Sequence, residues 1–325
     1  MMRTNSSSVS RGHNLLAGFV SVLSVAVLYS SFDPVPAGED VASQYRPLPV
    51  MSDLDIVPLP PGTATVAPAV PLNVADPAAA DTVAAESPST ASLRHCIALL
   101  NQGHRLMQSV TDYTADFHKE ERIGGDLQEA QTISLKVQHA PHFAVYMKWQ
   151  NGERGRQVLF SEAYDDGCMV VKFGGLKRIL PAIRVDPNCS QAMAESRYPV
   201  TQAGVLGMSR KILQHREHDL TLGDAVICEH LPDQTFDERV CHQFRIRYAS
   251  PEVNETYRKC LILVDAERHI PLMVRSHTWS RDSGSVSEDE LDGMTLIESY
   301  SFTRVNVSSG LVAMDFSREN PSYRM

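Results

Sequence analysis

The sequence lacks the motifs that most often identify an enzyme. It contains no G-x-S-x-G nucleophile elbow, no P-loop and no dinucleotide-binding glycine pattern. It has no C-x-x-C pair, which argues against a zinc ribbon or a redox motif. Its twelve histidines are scattered along the chain, without the clustering that metal sites need. We therefore expect a non-enzymatic protein with no catalytic residue, no metal and no cofactor.

Positive charge is also scarce. The chain has 30 Lys and Arg against 39 Asp and Glu, which gives a formal net charge of −9 at pH 7. An acidic chain gains nothing from a phosphate backbone, so nucleic acid is not expected as a partner.

No cysteine precedes Cys96, which excludes a lipid-modified cysteine near the N-terminus. Instead, Arg3 and Arg11 stand before a stretch from Gly12 to Phe32 that has no formally charged group. A basic region followed by an apolar run is typical of a signal peptide, and the stretch is near the length that spans a bilayer. Residues 1–32 are therefore predicted to be a signal peptide or a membrane anchor. We expect an exported protein of the periplasm or cell envelope, anchored to the inner membrane by residues 12–32.

A linker is predicted next. Residues 33–91 contain 11 of the chain's 19 prolines, with few aromatic residues and no sustained helical or strand period. Such a segment cannot bury enough apolar surface to offset its ordering entropy. We expect a disordered Pro/Ala-rich linker that acts as a tether.

The folded part is predicted to be a single domain of residues 92–325. Ser92 is a candidate N-cap, and Leu93, Cys96 and Leu100 follow at helical spacing. Alternating residues then predict a first group of five strands, near 113–122, 132–137, 143–149, 157–161 and 168–173. A second group is predicted at 225–231, 239–248, 257–264, 271–280 and 294–305, with a polar acidic loop at 281–293.

Between the two groups, residues 186–219 have helical texture. One helix is predicted to begin at Asp186-Pro187, and another at Thr201 or Gln202. Two groups of strands with a helical insert favour an α+β fold. We expect a curved, largely antiparallel sheet, a half-barrel, covered on one face by helices.

The stretch FHKEER (117–122) has the residues of a metal or acid–base site. In a strand, however, Glu120 and Glu121 point to opposite faces and cannot act as a pair. His118, Glu120 and Arg122 share one face, where the arginine would weaken a metal site. A solvated outer face is the better interpretation. A hydrolase that uses His118 and Glu120 is a minor alternative.

A second histidine pair lies at the end of the predicted helix before residue 219. His215 and His218 flank Glu217, one residue short of the zincin spacing. An exposed helix end is expected here. A hydrolase that uses His215 and Glu217 is the other minor alternative.

The six cysteines suit an exported protein that can form disulfides. If the strands 239–248 and 257–264 form a hairpin centred between residues 250 and 251, Cys241 and Cys260 lie opposite each other and can be bridged. A pair of Cys228 with Cys241 is equally open. The remaining alternative is six unpaired cysteines, several of them buried.

A strongly curved sheet can enclose an apolar cavity on its covered face. The candidates for the cavity wall are apolar residues of the first and third predicted strands: Tyr113, Phe117, Phe143, Val145, Met147 and Trp149. Ordinary core packing is the alternative for all of them.

Three stretches carry a resemblance to a known family. They are YTADFHKEERIGGDLQEAQTISLKV with PHFAVYMKW and GERGRQVLF (113–160), VDPNCSQAMAESRYPVTQAGV (185–205), and a C-terminal pattern of Asn, Asp-Phe and Asn-Pro-x-Tyr (291–325). Together they resemble an uncharacterised bacterial envelope family, domain of unknown function number 1571, over about residues 95–325. The resemblance to that family implies no catalytic residues in this chain.

The order of elements is also similar to the half-barrel of periplasmic lipoprotein carriers and related envelope-stress sensors, a likeness at the level of fold. The resemblance implies a cavity between sheet and helices that holds a lipid, an acyl chain or a lipoprotein. A structural or protein-interaction module without a ligand is the alternative. A membrane is expected as a partner through the N-terminal anchor, and the protein partner is unspecified.

Overall fold

The computed structural model describes residues 86–280 and 286–325. The predicted signal peptide or anchor and nearly all of the predicted linker lie outside these residues. Within the described part of the chain, no helix combines the length and the apolarity that a membrane span requires.

The first helix, α1 (Pro88–Ser109), begins five residues before the predicted start. Ser87, not Ser92, is its N-cap, and its hydroxyl accepts a hydrogen bond from the Thr90 amide at 3.1 Å. Pro88 occupies the first turn, where the missing N–H costs no intrahelical bond. The proline that looked like linker composition is therefore a helix start.

Both predicted groups of strands are present. The first comprises β1 (Asp112–Ile123), β2 (Asp126–Leu127), β3 (Gln131–Gln138), β4 (Ala144–Trp149), β5 (Gln157–Ser161), β6 (Met169–Lys172) and β7 (Ile183–Val185). The second comprises β8 (Val226–Phe236), β9 (Arg239–Tyr248), β10 (Lys259–Asp265), β11 (Pro271–His277) and β12 (Leu296–Val307). The sequence missed only β2 and β7, which are too short to show a period.

The strands form one open antiparallel sheet, and the α+β prediction is confirmed. Its order is β7-β6-β5-β4-β3-β1-β12-β11-β10-β9-β8, with β2 paired to β1 alone. The two halves are meanders that join where β1 pairs with β12. The sheet does not close, because its edges β7 and β8 are not paired with each other.

The helical insert connects these two edges and so runs across one face of the sheet. It contains α2 (Ser190–Met193) and α3 (Gly204–Asp219). The predicted helix start at Asp186-Pro187 is wrong, since α2 is a single turn that begins later. The predicted acidic loop also needs correction, because its end folds as α4 (Glu288–Thr295), with a capping box between Ser287 and Glu290.

The opposite face of the sheet carries the C-terminal segment. Phe316 and Tyr323 pack there against Tyr146 of β4, and the two tyrosine rings stack with centroids 3.8 Å apart. Lys136 reaches from β3 to Asp315 at 2.6 Å. The Asp-Phe and Asn-Pro-x-Tyr patterns therefore hold the tail to the sheet.

Candidate binding cavity between the sheet and the helices

A cavity of about 440 Å³ lies between the sheet and the helical insert. Its apolar wall on the sheet side consists of Phe117, Ile133, Leu135, Met147, Trp149, Val158, Met169 and Phe302. The insert contributes apolar side chains to the other wall, namely Ala192, Val200, Ala203 and Met208. The volume falls within the usual range for small-ligand sites, roughly 300–1,000 Å³.

Half of the predicted cavity residues line this space. Phe117, Met147 and Trp149 do so, because alternate positions of β1 and β4 face the insert. Tyr113 and Val145 are fully buried in the adjacent core and do not line the cavity. Phe143 precedes β4, packs at the edge of that core and does not line the cavity either.

Tyr113 instead fixes the start of α3. Its hydroxyl accepts a hydrogen bond from the amide of Val205 at 2.8 Å. Gly204, directly before, has a φ of 91°, and a Cβ there would lie 2.3 Å from the Tyr113 oxygen. The close approach of helix and strand therefore requires glycine at this position.

One end of the cavity carries charged side chains, and the first carboxylate among them lies on β1. Glu121 is 3% exposed. Lys119 donates to it at 2.9 Å, and the Tyr300 hydroxyl donates at 2.5 Å. In the FHKEER stretch, Phe117, Lys119 and Glu121 therefore face the cavity. The site hypothesis drawn from the sequence concerned His118 and Glu120, which lie on the other face of the strand.

The second carboxylate is Glu298 of β12, which lies directly opposite Glu121 in the strand register. It is 4% exposed. Arg197 donates to it at 2.9 Å, Tyr198 at 3.1 Å and Tyr257 at 3.2 Å. Two buried carboxylates on neighbouring strands are therefore each held by one cation and by tyrosine hydroxyls, which compensates their desolvation.

The environment keeps these partners in their donating forms. Burial, followed by the charges of Glu298 and Glu121, raises the pKa of Tyr300 well above its ordinary value. Burial and Glu298 also raise the pKa of Tyr257. Burial opposes the charge of Arg197, but Glu298 outweighs it and the pKa of Arg197 is raised.

His215 and Arg216 of α3 also line the cavity. His215 is half-buried with its ring 5.5 Å from that of Tyr257, so the expectation of an exposed helix end is wrong for this residue. Burial and then the neighbouring cations lower the pKa of His215 to about 3, which keeps the ring neutral. Arg216 is 3% exposed and forms an ion pair with Asp219 at 2.8 Å.

Neither proposed hydrolase pair lies in the cavity as a pair. His118 lies on the outer face, where its ring nitrogens contact the hydroxyls of Thr132 and Thr303 at 3.1 and 2.9 Å. Glu217 is exposed, whereas His215 faces the cavity. The cavity therefore offers an apolar space with a charge-balanced polar end, an arrangement suited to holding an amphipathic molecule.

The predicted disulfide rests on the wrong register. In the structure Cys260 pairs with Ile246, and Cys241 pairs with Asp265, because the β9–β10 connection is centred farther along the chain. Cys228 also faces Ile246, on the other side of β9, so it does not pair with Cys241. All six cysteines are free.

Comparison with known protein families gives one match to a family model. The family model described as Protein of unknown function (DUF1571) matches residues 110–325. No curated protein sequence matches the chain.

Several solved structures align with the chain at low identity. A putative outer membrane lipoprotein-sorting protein domain from Vibrio parahaemolyticus is 12% identical over 70% of this chain and 97% of that chain, with a TM-score of 0.32. The Pseudomonas aeruginosa MucA/MucB complex is 12% identical over 69% of this chain and 60% of that chain, with a TM-score of 0.39. The Mycobacterium tuberculosis lipoprotein LppX is 11% identical over 67% of this chain and 98% of that chain, with a TM-score of 0.38.

The family match spans more than half of the chain and includes the strands and the insert that enclose the cavity. The protein therefore belongs to the family described as Protein of unknown function (DUF1571).

Proposed function

We propose that this protein binds a lipid, an acyl chain or the acyl moiety of a lipoprotein in the cavity between the sheet and the helical insert, and that it does so without catalysis. The observation that carries the proposal is an apolar cavity of about 440 Å³ with a satisfied charged cluster at one end. An acyl chain fits the apolar part, and its polar end meets the cluster.

The apolar wall supplies the driving force. Moving a methylene from water into an apolar site contributes roughly 0.8 kcal/mol, so about ten methylenes give about 8 kcal/mol before the costs of association. Affinity of that order needs no charge–charge attraction. Selection of the head group would fall to the cluster around Glu121 and Glu298, because a head group that displaces one of the partners of these carboxylates must replace the hydrogen bond that is lost.

The proposal places this domain in the bacterial envelope. The predicted anchor at residues 12–32 would hold the protein at the inner membrane, and the part of the predicted linker that precedes α1 would let the domain move over its surface. Such an arrangement suits a tethered receptor or sensor better than a free carrier.

The two tryptophans of the chain provide the test. Trp149 lines the cavity, whereas Trp279 does not and donates its indole N–H to the Asn254 carbonyl at 2.8 Å. We therefore propose to titrate the full chain carrying Trp279→Phe with palmitic acid and with a lysophospholipid. Saturable change in the Trp149 emission is expected. The Trp149→Phe chain, which retains Trp279, is the matched control and should not respond.

Native mass spectrometry and lipid extraction of the exported full chain complete the test. A stoichiometric acyl lipid is the expected result. A chain that is empty as purified, and whose Trp149 ignores both added lipids, would overturn the proposal. The alternative of a structural or protein-interaction module with no ligand would then stand.

A further inference from the structure

Four polar side chains with metal-binding groups meet at a site remote from the cavity. His230 and Asp233 come from β8, His242 from β9 and His95 from α1. The ligand atoms of His230, Asp233 and His242 all lie within 4.8 Å of one another. The ring centroid of His95 is 5.4 Å from that of His230 and 6.1 Å from that of His242.

A β-bulge brings the carboxylate into this group. The β8–β9 register is regular as far as Leu231 and resumes at Gln234, so Pro232 and Asp233 form the irregular step between them. A bulge re-aims the side chains of the bulged strand. As a result Asp233 reaches the Nδ1 atom of His242 at 3.0 Å and the Nε2 atom of His230 at 3.7 Å.

These spacings match those of a coordination sphere. Two ligand atoms on a tetrahedral zinc ion lie roughly 3.3 Å apart, because Zn–N and Zn–O bonds are about 2.0–2.2 Å. The two distances from the Asp233 oxygen lie on either side of that value. Two imidazoles on one ion have ring centroids roughly 5 Å apart by the same bond lengths. The separations of the three histidine rings, 5.4, 5.6 and 6.1 Å, are therefore within about an ångström of that value.

The surroundings also suit a metal site. The His230 ring stacks on Phe244, with centroids 4.7 Å apart and planes at 15°, which fixes its orientation as the outer shell of a metal site does. His230 and Asp233 are exposed, so an ion can enter from solvent. Imidazole nitrogens with one carboxylate favour zinc and its first-row neighbours, whereas calcium and magnesium prefer oxygen ligands.

We propose that His230, Asp233 and His242 bind a divalent transition-metal ion, with His95 as the fourth ligand. The ion would cross-link α1 to the β8–β9 edge of the sheet. That edge is otherwise held to α1 by apolar packing and by the Ser89 hydroxyl, which accepts from the Cys228 amide at 2.8 Å. The proposal does not depend on what the cavity binds.

The test is isothermal titration of the tag-free full chain with zinc chloride after removal of metal by a chelator. One equivalent per chain is expected, with a dissociation constant in the micromolar range or below. His95→Ala, His242→Ala and Asp233→Asn should each weaken binding at least tenfold. His218→Ala, at an exposed histidine of α3, is the control and should leave binding unchanged.

Two further measurements keep the result interpretable. Thermal melts without metal show whether each variant is folded, and zinc should raise the melting temperature of the wild type but not of Asp233→Asn. X-ray absorption at the zinc edge counts the imidazoles, and three are expected. The proposal fails if the folded wild type takes up no zinc, or if the variants bind like the wild type. A count of two imidazoles, together with unchanged zinc binding in His95→Ala, would remove His95 from the site.

Discussion

At the scale of single residues, the unusual feature is the pair of buried carboxylates at one end of the cavity. Glu121 and Glu298 face each other across two neighbouring strands, a register that brings like charges together. Lys119 and Arg197 supply one cation to each carboxylate. Removal of a single partner should therefore cost more than an average surface hydrogen bond, because the carboxylate stays buried.

The first prediction concerns Tyr300→Phe, which removes only the hydroxyl that donates to Glu121. We expect the free energy of unfolding to fall by about 1–3 kcal/mol, the usual cost of leaving a buried polar group without its partner. Urea denaturation measures the change. Tyr164→Phe, at a tyrosine that is 52% exposed, is the matched control and should be neutral. Equal stability of the two variants would show that the Tyr300 hydroxyl is not needed.

The second prediction concerns the pH dependence caused by His215. The pKa of this ring is lowered from 6.5 to about 3, first by burial and then by Arg216, Lys211 and His218. Between these values the unfolded chain binds a proton that the folded chain does not, so stability falls as the pH drops from 6.5 toward 3. Above that window the effect is absent.

His215→Gln should remove this contribution. The stability difference between the wild type and His215→Gln is expected to shrink as the pH is lowered through the window, in denaturant titrations at several pH values. His218→Gln changes an exposed histidine of the same helix and should keep the pH slope of the wild type. A slope that His215→Gln leaves unaltered would mean that the ring is protonated in the folded protein.

At the scale of elements, the position of α3 depends on its contact with β1. The Tyr113 hydroxyl accepts a hydrogen bond from the Val205 amide in the first turn of the helix, and Gly204 allows the strand and helix to approach closely. The contact fixes one end of the insert that forms a cavity wall. A change there should therefore affect both the stability and the shape of the cavity.

The third prediction is that Gly204→Ala is strongly destabilising. The new Cβ would lie 2.3 Å from the Tyr113 oxygen, at a φ that alanine rarely adopts. We expect a loss of more than about 1 kcal/mol in the free energy of unfolding. Gly293→Ala is the control, because a Cβ there contacts nothing within 4 Å and alanine favours the helix α4. It should be neutral or slightly stabilising, and equal behaviour of the two variants would contradict the argument.

At the scale of the whole molecule, the cavity exists because the chain crosses from one edge of the sheet to the other. The insert leaves β7 at one edge and reaches β8 at the opposite edge, so its side chains cover the face between them. The single-turn α2 and the stretch between α2 and α3 make up part of this cover. Their small apolar residues, such as Ala192 and Ala203, leave space that longer side chains would fill.

The fourth prediction separates stability from binding. Ala203→Leu places a larger side chain in the cavity, so we expect unchanged or slightly higher stability without ligand. The loss of space for about three methylenes should cost a bound acyl chain about 2 kcal/mol, or roughly thirtyfold in affinity. Trp149 fluorescence titration with palmitic acid measures the affinity. Ala91→Leu, on an exposed position of α1, is the control. Unreduced affinity in Ala203→Leu would place the ligand elsewhere.

Most of the fold follows from local patterns. Alternation of apolar and polar residues placed ten strands close to their observed positions, and the two predicted groups of strands correspond to the two meanders of the sheet. The predicted helix starts, which rest on capping residues, were less accurate, since Ser87 rather than Ser92 is the N-cap of α1. Register was the weakest inference, because the position of a turn decides which residues face each other, as the cysteines of β9 and β10 show.

The sequence by itself determined the α+β class, the acidic character of the chain and the inward face of the strands whose apolar and polar residues alternate. Only the tertiary structure decided which inward residues bound the cavity, which carboxylates meet across β1 and β12, and which histidines gather at the β8 bulge. The reason is physical. Periodicity is a property of neighbours along the chain, whereas both sites are assembled from residues more than a hundred positions apart, brought together by strand pairing and helix packing.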